Sequence, residues 1–134
     1  MTSKVVYNGD LRTTMTHLQS GTVIITDAPS DNHGKGEAFS PTDLAATAVA
    51  SCMLTTMAIA CLTRDFNIDG AHAEVTKVMS GTAPRRIAQI KITIFMLQNY
   101  TDEQKKILEK IAHHCPISLS LHPETEEIVD FVWQ

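Results

Sequence analysis

With 134 residues and 43% hydrophobic content, the chain reads as a single domain, 1–134, able to bury roughly two thirds of the surface exposed when unfolded. The 11 Lys and Arg against 15 Asp and Glu leave a formal charge of -4 with no block of like charges. That balance excludes the basic footprint that nucleic acid or an anionic membrane surface would require, so small molecules or proteins are the expected partners.

The first ten residues hold one lysine and no apolar h-region, which predicts a cytoplasmic, reducing compartment in which cysteines rest as thiols. Val5-Val6-Tyr7, then Asn8-Gly9-Asp10 as a turn, then Leu11 to Leu18 predict a β-hairpin, and Thr22 to Thr26 a further short strand. Asp27 to Phe39 is rich in Gly, Asp, Asn and Ser and predicts a polar loop. Its Gly34-Lys35-Gly36 lacks the spacing and the following Ser or Thr of a phosphate-binding loop.

A helix start is well marked. Ser40 is placed as N-cap, Pro41 occupies the first helical position, and Asp43 answers the cap reciprocally. From Leu44 to Thr63 no residue is charged, a run long enough to suggest a membrane span. Six alanines and four threonines in that run, closed by Asp43 and Arg64-Asp65 without aromatic belts, argue instead for a central helix wrapped on nearly all sides by protein. Its small side chains also suit close packing against a partner subunit. At about 100° per residue, Cys52 and Cys61 fall on opposite faces. Cys61 reads as a small buried hydrophobe, whereas Cys52 shares its face with Ala45, Ala48, Val49, Thr55, Thr56 and Ile59.

Beyond Asn67 the period changes to two. Ala71, Ala73 and Val75, a Gly81–Pro84 turn, and Ile90, Ile92 and Ile94 predict a second hairpin with one buried face. A second helix is capped by Thr101 with Gln104, and Ile107, Leu108, Ile111 and Ala112 form its apolar stripe. Cys115 extends that stripe, and Pro116 ends the helix and can begin another, which places Cys115 at an N-cap with backbone amides directed at its sulfur. Ile128 to Trp133 predicts a closing strand.

Cys52 and Cys115, distant in the chain yet each on the core-facing side of its own pattern, suit a reversible redox pair better than a structural staple. His113, His114, Cys115 and His122 make a poor metal set, because adjacent helical histidines diverge by about 100° and no second cysteine stands at short spacing. No metal is expected. Tyr7, Phe39 and Trp133 are candidates for lining a substrate pocket, with core packing as the commoner fate of such side chains.

Phe39-Ser40-Pro41-Thr42-Asp43-Leu44, the run ending Ala50-Ser51-Cys52, the Arg85-Arg86-Ile87 turn, and Thr101-Asp102-Glu103-Gln104 leading to His114-Cys115-Pro116-Ile117-Ser118 together resemble the OsmC/Ohr family, from about Tyr7 to Trp133. The resemblance implies an α+β, OsmC-like fold with antiparallel β-sheets wrapped around a long central helix, and two chains intertwined as a homodimer. It further implies reduction of organic hydroperoxides, with Cys52 as attacking thiol, Cys115 as resolving thiol, Arg12 as the cation that supports the Cys52 thiolate, and Asp43 as the acidic residue of the site. A small hydrophobic hydroperoxide and an external dithiol reductant are the implied partners, and no bound cofactor is implied. In the hydroperoxide-resistance branch a glutamate follows the proline and orients the arginine; here that position is Thr42, and Asp43 stands where other branches carry an acid. Two other readings stay open: a non-catalytic dimer with a pocket for a hydrophobic ligand, and a sulfur-transfer protein carrying a persulfide on Cys52.

Overall fold

A computed structural model describes all 134 residues. They separate into two compact units, Met1–Ala45 and Ala46–Gln134.

In the first unit, β1 (Ser3–Gly9), β2 (Arg12–His17) and β3 (Val23–Asp27) form an antiparallel meander in that order. The hairpin turn is shifted from Asn8-Gly9 to Asp10-Leu11, whose φ angles are 53° and 62°, while Gly9 at φ 86° absorbs a bulge. Positive φ at both central residues is the backbone of a type I′ turn, whose twist matches that of the flanking strands. Leucine adopts it at a cost because the tip is tied down. Leu11 N–H donates to the Tyr7 hydroxyl and Leu11 C=O accepts from Ala28 N–H at 3.0 Å, contacts that no turn propensity encodes. Val5, Val6, Tyr7, Val23, Ile24 and Ile25 of this sheet stay exposed.

The loop after β3 contains a single 3-10 turn, Ser30–Asn32. Gly34 N–H donates to Pro29 C=O at 3.0 Å and Gly36 N–H to Ala28 C=O at 3.2 Å, so these amides fold the loop on itself. A Cβ on Gly34 would sit 1.7 Å from the Ala28 carbonyl oxygen, and that close approach is what requires glycine.

The long helix α1 (Pro41–Cys61) begins as its residues dictate. Ser40 Oγ accepts from Asp43 N–H and Asp43 Oδ2 accepts from Ser40 N–H, both at 3.0 Å, a reciprocal cap. At the other end Arg64 Nη1 donates to Ala60 C=O, placing a cation on the final turn.

The second unit holds the core. One face of α1, comprising Ala46, Val49, Ala50, Met53, Met57 and Cys61, is buried with Ile90, Ile92, Ile94, Met96, Leu108, Ala112 and Cys115. The expectation of a helix wrapped on nearly all sides is corrected here. Ala45, Ser51, Thr55 and Ala58 remain exposed, as does Ile59 at 60%, because the single chain packs only one side of α1. By length and composition alone α1 could cross a membrane; about 33% of its most apolar stretch is buried within the chain.

Strands β4 (His72–Met79) and β5 (Ile87–Met96) pair antiparallel as their alternation predicts, with Ile90, Ile92, Ile94 and Met96 on the buried side. Helix α2 (Asp102–Ala112) carries the expected capping box of Thr101 and Gln104. Strand β6 (Glu126–Trp133) then pairs parallel to β5, so the sheet β4-β5-β6 is mixed rather than wholly antiparallel. The reason lies in the connection: α2 and the turn after it carry the chain back to the end where β5 began, as a parallel crossover requires. The class, α+β with two sheets and two α-helices, is as expected.

Truncating the middle of this core tests its weight. Ile94→Ala should cost about 2–5 kcal/mol of unfolding free energy, read as a lower urea midpoint at unchanged slope.

Candidate redox site

Both proposed redox thiols and Cys61 are free. Cys52 lies in the middle of α1 and is half-buried, packed against the apolar cluster on one side, with its sulfur 3.9 Å from the Thr56 hydroxyl one turn on. The predicted face of small, apolar and hydroxyl groups is therefore the one it occupies, although Val49 turns into the core.

Cys115 is fully buried in the same cluster. It follows α2, whose stripe it extends, and heads a tight turn. Leu119 N–H donates to Cys115 C=O at 3.1 Å, and Ser118 N–H donates to the sulfur at 3.3 Å. The backbone amide anticipated at this sulfur is present, supplied by a short 3-10 turn, Ser118–Ser120, rather than by a new α-helix. The thiol itself donates to Ser118 Oγ at 3.2 Å, and Ser118 Oγ donates in turn to Glu127 Oε1 at 2.6 Å.

Cys61, on the opposite face of α1 from Cys52, is 7% exposed, and burial pushes its thiol up from the ordinary range, with Arg64 offsetting part of the effect. A thiol so placed stays protonated and inert. It lines a cavity of about 200 Å³ with Ala58, Leu62 and Ile68.

Arg12 is held firmly within the first unit. Its Nε and one Nη donate to the two carboxylate oxygens of Asp27 at 2.7 and 2.8 Å, and the same Nη donates to Glu37 at 3.1 Å. Arg12 and Asp27 are register partners across β2 and β3. The bond from Arg12 holds the Asp27 carboxyl below the usual range, and the two acids raise the Arg12 guanidinium further above its own. The acids bound to Arg12 are thus Asp27 and Glu37, neither of which the sequence reading singled out. Asp43 serves the α1 cap, and Thr42 Oγ1 lies 3.2 Å from the capping Ser40 Oγ.

Of the aromatic candidates, Trp133 stacks on Phe131 at 5.2 Å, meets Tyr100 edge-on, and carries Lys105 over its ring; Tyr7 and Phe39 are exposed. His114 is bound to Lys110 C=O and His122 accepts from Glu124 N–H, local contacts of solvated side chains.

Ser118 and Glu127 also escaped the sequence reading. The spacing of Ser118 three residues after Cys115 is the same reciprocal-cap spacing recognised at Ser40 and Thr101, so that signal was available. Glu127 gave none, since it reaches Ser118 only through the register of a parallel strand.

The differing burial of the three thiols predicts an order of modification. Native protein treated with iodoacetamide at neutral pH should label Cys52 first and Cys61 and Cys115 much later, read by peptide mass spectrometry; equal labelling would contradict this placement. The Arg12–Asp27 pair predicts an acid limb of stability. Because the folded carboxyl sits below its unfolded value, its contribution is complete above about pH 4 and fades as pH falls through the lower folded value. Asp27→Asn should lower the melting temperature near neutrality and shrink the difference from wild type as the solution is acidified.

The model of the OsmC-like protein family matches residues 34–128, most of the chain and the stretch that includes both candidate redox cysteines. Among solved structures, a candidate osmotic stress induced and detoxification response protein from Psychrobacter arcticus is 51% identical, covering 98% of this chain and 96% of its own, with a TM-score of 0.94. An organic hydroperoxide resistance protein OsmC from Legionella pneumophila shares 14% identity at a TM-score of 0.72, over 98% and 96% of the two chains. The organic hydroperoxide resistance protein OhrB of Bacillus subtilis shares 16% at 0.70, over 98% of each. No curated protein sequence matches the chain. With its fold, its paired-cysteine contexts and a family model spanning most of its length in agreement, the chain belongs to the OsmC family.

Proposed function

We propose that the protein is a thiol peroxidase that reduces organic hydroperoxides through Cys52 and Cys115. The observation that carries this reading is the placement of the two thiols. A half-buried cysteine on the open side of α1 and a fully buried one after α2 belong to one apolar cluster. The organic hydroperoxide resistance names of the Legionella and Bacillus neighbours agree with it, though at their identity they speak for the fold alone.

The chemistry balances with these two groups and a dithiol. The Cys52 thiolate attacks the terminal peroxide oxygen, the O–O bond breaks, and the alkoxide leaves as an alcohol after taking a proton. Cys52 becomes a sulfenic acid. Cys115 then attacks that sulfur, releasing water and forming the disulfide, and an external dithiol restores both thiols by exchange. The apolar surroundings of Cys52 favour fatty or other organic hydroperoxides over hydrogen peroxide.

Dimerisation belongs to the same reading. In the first unit Val5, Tyr7, Val23 and Ile24 are exposed, and in the second Ile59 of α1 and Leu62 just beyond its end, at 81%, are exposed too; each is apolar surface that a second copy of the chain would cover. Such burial would complete the wrapping of α1 anticipated from its uncharged run.

Reduced protein treated with cumene hydroperoxide and weighed should lose two hydrogens, and Cys115→Ser should instead gain one oxygen, trapped on Cys52. An unchanged mass under excess peroxide would reject the enzyme in favour of a ligand-binding dimer. One extra sulfur on Cys52 after a persulfide donor, with no response to peroxide, would favour sulfur transfer.

A further inference from the structure

The proton on Cys115 has to leave before that sulfur can attack, and the thiol is fully buried, out of contact with bulk solvent. Its S–H is directed at Ser118 Oγ at 3.2 Å. The hydroxyl hydrogen of Ser118 is already committed to Glu127 Oε1 at 2.6 Å, so it is a lone pair of that oxygen that faces the thiol. The Ser118 N–H, at 3.3 Å, points at the sulfur on which negative charge develops. Glu127 stands on β6 and is half-buried, not sealed in the interior as Cys115 is. Three groups from two elements are thus aligned in one direction of transfer, from sulfur to carboxylate.

We infer that Ser118 and Glu127 form a proton path that activates Cys115 for disulfide formation, with Ser118 as relay and Glu127 as the positioning acid-base residue behind it. The inference rests on the thiol-pair reading above. In the resolving step the Cys115 proton passes to Ser118 Oγ as the Ser118 proton passes to Glu127. The Cys115–Cys52 sulfur bond forms while the sulfur–oxygen bond of the sulfenic acid breaks. The departing hydroxide takes the proton from Glu127 and leaves as water, so the carboxylate is regenerated and no further reactant is needed. Without the carboxylate, Ser118 would have to hold two protons at once or lose its own to the apolar interior.

An aromatic disulfide that releases thionitrobenzoate isolates the step without any peroxide. In a Cys61→Ala background, the first release reports reaction of Cys52, and the second reports attack of Cys115 on the mixed disulfide at Cys52. Glu127→Gln should leave the first release unchanged and slow the second by about tenfold or more, Ser118→Ala should do the same, and Glu127→Asp should recover most of the rate. A second release at the wild-type rate in Glu127→Gln overturns the proton path while leaving the thiol pair intact. Equal slowing in the Gln and Asp variants also overturns it, since loss of packing rather than of a proton acceptor would then be the cause. Failure of the second release in the parent itself overturns the thiol pair and the path with it, whereas a failure to react with hydroperoxide alone leaves this readout standing.

Discussion

Burial of a single stripe of α1 is the constraint on which the candidate chemistry depends. Ala46, Val49, Ala50, Met53 and Met57 meet Ile90, Ile92, Ile94 and Met96 of β5 and Leu108 and Ala112 of α2 in one apolar cluster. Both candidate redox cysteines take their positions from that cluster. Cys52 is adjacent to Met53 and so stands beside the buried stripe rather than within it, half-exposed. Cys115 continues the α2 stripe by one turn and is drawn fully inside.

Polar groups in the interior are few, and each is answered. Asp27, 1% exposed, is matched by the fork of Arg12, with two parallel donors meeting two acceptors, a geometry that a lysine could not reproduce. Ser118 and Glu127 answer the buried thiol in the second unit. No buried side-chain nitrogen or oxygen is left without a hydrogen-bond partner. In such an interior a polar side chain has a definite orientation, which is what gives the Cys115–Ser118–Glu127 chain a direction.

The exposed apolar residues tell a complementary story. The sheet β1-β2-β3 has valines and isoleucines open to solvent, as are Ile59 on the far side of α1 and Leu62 just after the helix ends. A run without charge from Leu44 to Thr63 has two physical explanations once a bilayer is set aside: burial by its own chain or burial by another. Its own chain accounts for one stripe. The rest is left to the proposed association of two copies, the arrangement the family resemblance implies.

Local signals carried much of the architecture. The caps at Ser40–Asp43 and Thr101–Gln104, the alternation on β4 and β5, the α2 stripe and the two cysteine contexts each lie within a few residues and were legible for that reason. The turn at Asp10-Leu11 was not, because Tyr7 and Ala28 hold it from outside the turn. Nor were the parallel direction of β6, the partners of Arg12 and the carboxylate behind Cys115. Strand direction is set by how a helix crosses back over a sheet, and the approach of Asp27 to Arg12 or of Glu127 to Ser118 by registers and turns that bring distant residues together. Residue type and short spacing therefore determined which side chains could do chemistry, and long-range pairing decided which of them meet.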